Sequence, residues 1–178
     1  MKIYVARHGQ TDWNKEKRAQ GSKDIELNET GIQQAEELGE KLKTLDFDVC
    51  YASPLKRAAK TAEIAVNGKC KIIYDDRLRE RGFGEFEGKV VKSWSELIDG
   101  VNIDDIELVE IPGGVESVRE LVARFADFLN DLKTKYSDGT KILIVGHGGY
   151  SKAIEYFLNG GKYGEWHLSN GEIKEYEV

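Results

Sequence analysis

The chain has three histidines, and two of them stand directly behind short apolar runs: His8 follows Lys2–Ala6 and His147 follows Lys141–Val145. Arg7 precedes His8, Arg57 follows the run Asp48–Ala52, and Glu80 follows Lys71–Tyr74. Two guanidinium forks suit a phosphate dianion and can hold it bidentately. A neutral imidazole between them is a nucleophile for phosphorus. A second imidazole, once protonated, balances charge on the equatorial oxygens during transfer. An alkoxide leaves poorly without a proton, and a carboxylic acid beside the phosphate can supply it. No Asp/Glu grouping has metal-ligand spacing, so the arginines stand in for a metal as charge stabiliser, and no metal or other cofactor is expected. Taken singly, these residues have plainer readings. Glu80 lies among Arg77, Arg79 and Arg81 and could belong to a solvated charge run. Asn14 could form a local turn, and Gln20 and Arg81 could be structural.

The elements that must position these groups follow from the apolar pattern. The runs Lys2–Ala6, Asp48–Ala52, Lys71–Tyr74 and Lys141–Val145 read as strands buried on both faces. Between them lie helical patterns. From Asn28, a plausible N-cap, to Leu45 the stripe is Ile32, Ala35, Leu38, Leu42 and Leu45. Leu55–Val66 and Ser117–Tyr136 read as helices, as does the shorter Tyr150–Leu158. The tail reads as a hairpin, Glu165–Leu168 and Glu172–Val178 around Ser169-Asn170-Gly171, which places His167 on a strand as a structural or exposed residue. Strands alternating with helices predict an α/β fold with a largely parallel central sheet, whose ligands bind beyond the carboxyl ends of the strands. Residues 75–114 break the pattern with charges, glycines and one short helix near Ser93–Ile98, and read as a cap-like insertion in a single domain spanning 1–178.

Composition narrows the function classes. With Lys+Arg at 26 against Asp+Glu at 32, the net charge of −6 disfavours a nucleic-acid partner. It leaves room for a local basic pocket. No apolar run is long enough to span a membrane, the N-terminal run is too short for a signal peptide, and a cytoplasmic protein is expected. Cys50 and Cys70 form no CxxC or Cys/His cluster, and Cys50 reads as a buried core thiol. Gly146–Lys152 follows a strand and opens a helix, as a nucleotide loop would. It lacks the closing Gly-Lys-Ser/Thr of a P-loop, and Ser151 stands where the dinucleotide fingerprint has its third glycine.

Arg7-His8-Gly9 with Thr11, Trp13 and Asn14 resembles the signature of the histidine phosphatase superfamily, in its phosphoglycerate mutase-like branch. The resemblance continues in order through Gln20-Gly21 with Asp24 and Leu27, and Gly31 with Gln34-Ala35. It then runs through Ser53-Pro54-Leu55 with Arg57-Ala58 and Thr61-Ala62, Leu78 with Glu80, Gly84 and Glu87-Gly88, and His147-Gly148-Gly149. It implies a three-layer α/β/α fold and a role for each matching position. His8 becomes a phosphohistidine, Arg7 and Arg57 bind the phosphoryl oxygens, and His147 completes the pocket. Glu80 protonates the leaving oxygen, Asn14 donates to the phosphate, and Gln20, Gly21, Arg81 and Gly148 line the substrate side. The activity implied is a metal-independent phosphomonoesterase acting on a small phosphate ester. A cofactor-dependent phosphoglycerate mutase is the first alternative and a non-catalytic phospho-ligand module the second. The short chain, Gly82 where a mutase typically has histidine, and Thr11 where mutases usually have serine favour the phosphatase. Glu85, Glu87, Asp104 and Asp105 are expected to disfavour highly anionic substrates. Natural substrate and oligomeric state are not legible.

Overall fold

A computed structural model describes every residue from Met1 to Val178 except Asp99, Val109 and Glu165. In chain order the elements are β1 (Lys2–Arg7), α1 (Asp12–Lys15), α2 (Glu29–Leu42), β2 (Val49–Ala52), α3 (Lys56–Val66) and β3 (Ile72–Tyr74). They continue with α4 (Trp94–Leu97), α5 (Val118–Lys135), β4 (Lys141–Gly146), α6 (Gly148–Asn159) and β5 (Ile173–Glu177). The strands form one sheet in the order β3-β2-β4-β1-β5. All pairings are parallel except β5 against β1.

Side-chain alternation along the strands builds two cores. Ile3, Val5, Val49, Tyr51, Ile142 and Ile144 face one side, where Leu121, Phe125 and Phe128 of α5 and Ala153 and Ile154 of α6 cover them. Their neighbours Tyr4, Ala6, Cys50, Ala52, Leu143 and Val145 face the other, under Leu38 and Leu42 of α2 and Ala58, Ala62 and Ala65 of α3. Helices on both faces of a mainly parallel sheet make the expected α/β/α sandwich. Buried Cys50 holds its thiol protonated, because desolvation raises its pKa.

Three details depart from the sequence pattern. Among the described residues the tail forms no hairpin: of its first arm, Glu165 lies outside them and 166–168 are irregular, while β5 pairs with β1. Ile32 is exposed, since the buried stripe of α2 is Gly31, Ala35, Leu38 and Leu42. The short α1 has no apolar period to announce it. It is held by a capping box in which the Thr11 side chain and the Asn14 side chain each bond the other's backbone side. Segment 75–114 packs a small core of its own, Phe86, Ile98, Ile103 and Ile111, joined by Val115. Among the described residues no helix is long and apolar enough to cross a membrane.

Candidate active site

Strand register brings the two histidines together. Arg7 of β1 pairs with Gly146 of β4, so His8 and His147 leave adjacent strands at the same level. Their ring centroids lie 5.1 Å apart, close to the roughly 4.8 Å between neighbouring strands. On the other side of β4, Ala52 pairs with Val145, which sets Ser53 beside His147. Ser53 Oγ and His147 Nε2 are 2.8 Å apart. The helix that starts after β2 lifts Arg57 to the same edge. Its first amide is capped from outside, by Asp24 Oδ1 at 2.6 Å from the Lys56 nitrogen.

The chemistry of His8 is set by one bond. Its Nδ1 lies 2.6 Å from the Gly9 carbonyl oxygen. A carbonyl only accepts, so Nδ1 carries the proton and Nε2 keeps its lone pair. Burial, with the Arg57 and Arg7 charges beside it, holds the imidazole well below the ordinary histidine pKa. His147 is lowered in the same way by burial, Arg57, His8 and Arg7. Burial also lowers both guanidiniums, Arg57 to about 10, which leaves them cationic at neutral pH. Arg57 Nη2 and Nη1 donate to the Gly21 and Lys23 carbonyls at 2.9 and 2.7 Å, and Arg7 Nη1 donates to Leu168 at 2.7 Å. Arg7 Nε, Arg57 Nε and His147 Nδ1 are buried with no hydrogen-bond partner among the described residues. Buried positive charge with unpaired donors of this kind suits an anionic ligand.

Arg7, His8 and Arg57 form the floor of a cavity of about 820 Å³, and His147 packs behind the wall against His8. Asn14, Gln20, Gly21, Glu80 and Gly148 also line it. Asn14 Oδ1 accepts from the Thr11 backbone N–H at 3.1 Å, which leaves its Nδ2 as an uncommitted donor among the described residues. Gln20 Oε1 accepts from the Thr11 hydroxyl at 3.0 Å. Glu80 accepts from the Gly149 and Tyr150 amides at 3.1 Å each, capping α6, whose N-cap His147 contributes no side-chain cap. A Cβ at Gly148 would lie 3.0 Å from Arg7 Cζ, so a side chain there would press on the guanidinium. Arg81 is placed elsewhere. It is buried behind the wall, with Nε on the Glu116 carbonyl at 2.7 Å and Nη1 on Asp104 at 3.0 Å.

The outer wall carries groups that the motifs did not mark. Beside Trp13 of the first motif, a stacked pair, Phe83 and Trp94 (centroids 4.8 Å apart), supplies apolar surface. Lys17, Lys92 and Lys152 add positive charge, and His167 is exposed at the rim. Lys152 stands four residues after Gly148 on α6, a spacing that could have flagged it. Lys17 and Lys92 meet through the Val91 amide on the Lys17 carbonyl at 2.8 Å, which no local pattern foretells. The acidic residues of the insertion that were expected to disfavour anionic substrates stand outside the cavity lining. Glu85, Glu87, Asp104 and Asp105 do not line the cavity, whose wall holds Glu80 as its one carboxylate among the described residues. Glu87 instead binds the Ser22 and Phe83 amides, and Asp104 pairs with Arg81 and Lys152.

The sandwich and its sheet order define a phosphoglycerate mutase-like α/β/α fold, with histidine and arginine gathered at the carboxyl edge of the strands. Residues 3–178 match the model of the histidine phosphatase superfamily (branch 1), and the chain belongs to that family. It is 38% identical over 161 residues to phosphoglycerate mutase-like protein 4 of Arabidopsis thaliana, covering 85% of this chain and 68% of the relative. It is 35% identical over 161 residues to the uncharacterized phosphatase PhoE of Bacillus subtilis, covering 89% and 78%. Among solved structures, Bacillus stearothermophilus YhfR superposes with a TM-score of 0.88 at 28% identity, covering 99% of this chain and 91% of that one. Family membership makes the chain an enzyme of phosphatase or mutase type.

Proposed function

We propose that the protein is a metal-independent phosphomonoesterase for small phosphorylated metabolites, working through a phosphohistidine on His8. The observation that carries this reading is the Nδ1–H bond of His8 to the Gly9 carbonyl, which leaves Nε2 basic beside two buried guanidiniums. In the first step the His8 Nε2–phosphorus bond forms as the ester phosphorus–oxygen bond breaks. Arg7, Arg57 and Asn14 stabilise the equatorial oxygens. His147 remains neutral beside His8 and adds an imidazole N–H dipole that stabilises the transition state. Glu80 passes its proton to the leaving alkoxide. In the second step carboxylate Glu80 takes a proton from water, the water oxygen attacks phosphorus, and the phosphorus–nitrogen bond breaks to release inorganic phosphate.

Segment 75–114 contributes Phe83, Val91, Lys92, Ser93 and Trp94 to the wall and acts as the substrate-selecting cap. The cavity, about 820 Å³, has room for a leaving group well beyond the phosphoryl group itself. Rapid mixing with 4-nitrophenyl phosphate tests the reading. A burst of nitrophenolate with an acid-labile phosphoenzyme is expected, and both vanish in His8→Ala. A burst that survives the substitution would remove His8 as nucleophile. The mutase-like relative motivates a second assay, 3-phosphoglycerate with a trace of bisphosphoglycerate. Formation of 2-phosphoglycerate faster than free phosphate would make the protein a mutase.

A further inference from the structure

Glu80 belongs to an irregular stretch of chain, yet a proton donor must be held to within a fraction of an ångström. We infer that Arg124 and Glu116, which do not line the cavity, are positioning residues that clamp the chain on both sides of Glu80. The inference rests on the proton-donor role proposed above. Arg124 Nη1 donates to the Arg77 and Arg79 carbonyls at 2.6 and 3.2 Å, just ahead of the acid. Its Nε and Nη2 donate to the two Glu116 oxygens at 2.7 and 2.9 Å. Glu116 Oε2 in turn accepts from the Gly82 amide at 3.0 Å, and its backbone carbonyl accepts Arg81 Nε at 2.7 Å, just beyond the acid. Arg124 projects from α5, whose Leu121, Phe125 and Phe128 are fully buried in the main core. The stiffness of that helix is thereby carried to a loop residue. This also assigns work to Arg81, whose Nε joins the clamp while Nη1 and Nη2 bind Asp104 and the Ile103 carbonyl. Only a planar fork can serve two carbonyls and a carboxylate at once, so lysine at 124 cannot replace arginine.

The test compares Arg124→Lys with wild type in two ways. Kinetically, the loss of kcat on glycerol phosphate, a poor leaving group, exceeds the loss on 4-nitrophenyl phosphate by about fivefold or more, with KM shifted less than about threefold. A general loss of folded enzyme would slow both esters equally. The second readout needs no turnover. The Gly149 and Tyr150 amides stand in the first turn of α6, where Glu80 is the acceptor they use. Their hydrogen exchange rises about tenfold in Arg124→Lys, towards the level of Glu80→Ala. Arg119→Ala, on the exposed side of the same helix, leaves both readouts unchanged. Glu116→Gln serves as the second variant if Arg124→Lys folds poorly, and is expected to shift both readouts in the same direction. Equal slowing of the two esters, or unchanged exchange at the two amides, overturns the clamp. If wild type forms no phosphoenzyme and releases no phosphate from either ester, the proposed function falls, and the exchange comparison still decides the clamp.

Discussion

At Glu80 the carboxyl group accepts the Arg81, Gly149 and Tyr150 amides and lines the cavity, where a bound ester would bring its leaving oxygen. A residue of this kind matters in proportion to how badly the leaving group needs a proton. Glu80→Gln is therefore expected to slow alkyl phosphates by about 10²–10⁴-fold and aryl phosphates far less. Steady-state kcat across a series of leaving groups checks this, and uniform slowing would take the proton-donor role away from Glu80. Most of the candidate site was legible, because histidine, arginine and glutamate following strands are a local signal. Arg81 shows where that signal ends. Its position beside Glu80 suggests the substrate side, but whether its fork faces in or out depends on Glu116 and Asp104, 35 and 23 residues away. Lys17 and Lys92 were invisible for the same reason.

At the scale of elements, the loop after β1 is shaped by the helix that presses on it. Gly9 and Gly31 approach so closely that a Cβ on Gly31 would overlap the Gln10 carbonyl, and the Asn28 side chain caps the Gly31 amide at 2.9 Å. Gly31→Ala must push α2 away from the His8 loop. It is expected to cost about 1–3 kcal/mol of stability and to lower kcat with it, measured by urea unfolding and ester hydrolysis. Unchanged stability would mean that the helix start is softer than its contacts imply. Periodicity located four strands and four helices; β1, β2 and β4 are buried as expected, while β3, at the sheet edge, is only part-buried and leaves Tyr74 exposed. It placed Ile32 in the core because spacing alone cannot show that Gly31 must take the buried position. The expected hairpin failed at its first arm because the pairing partner of β5 is β1, at the far end of the chain.

For the molecule as a whole, two buried neutral imidazoles make stability depend on pH. Their folded pKa values lie below the ordinary value, and in the unfolded chain each returns to about 6.5. Below that pH the unfolded chain binds protons that the native state refuses, so stability falls as acid is added; above it these groups add no slope. Each histidine contributes at most about 1.4 kcal/mol per pH unit. Urea midpoints at pH 7.5 and 5.5 should show this drop, and His8→Asn should flatten it. Midpoints that rise towards pH 5.5 would contradict the buried neutral state. The two imidazoles both follow the last rung of one strand pair, so their separation is set by the backbone ladder. Phe83 and Trp94 of the wall, by contrast, come from 75–114, which packs a small core of its own. Substrate choice can therefore drift through 75–114 while phosphorus–nitrogen bond formation stays fixed, and exchanging that stretch between relatives should transplant selectivity and leave the acceptor nitrogen untouched.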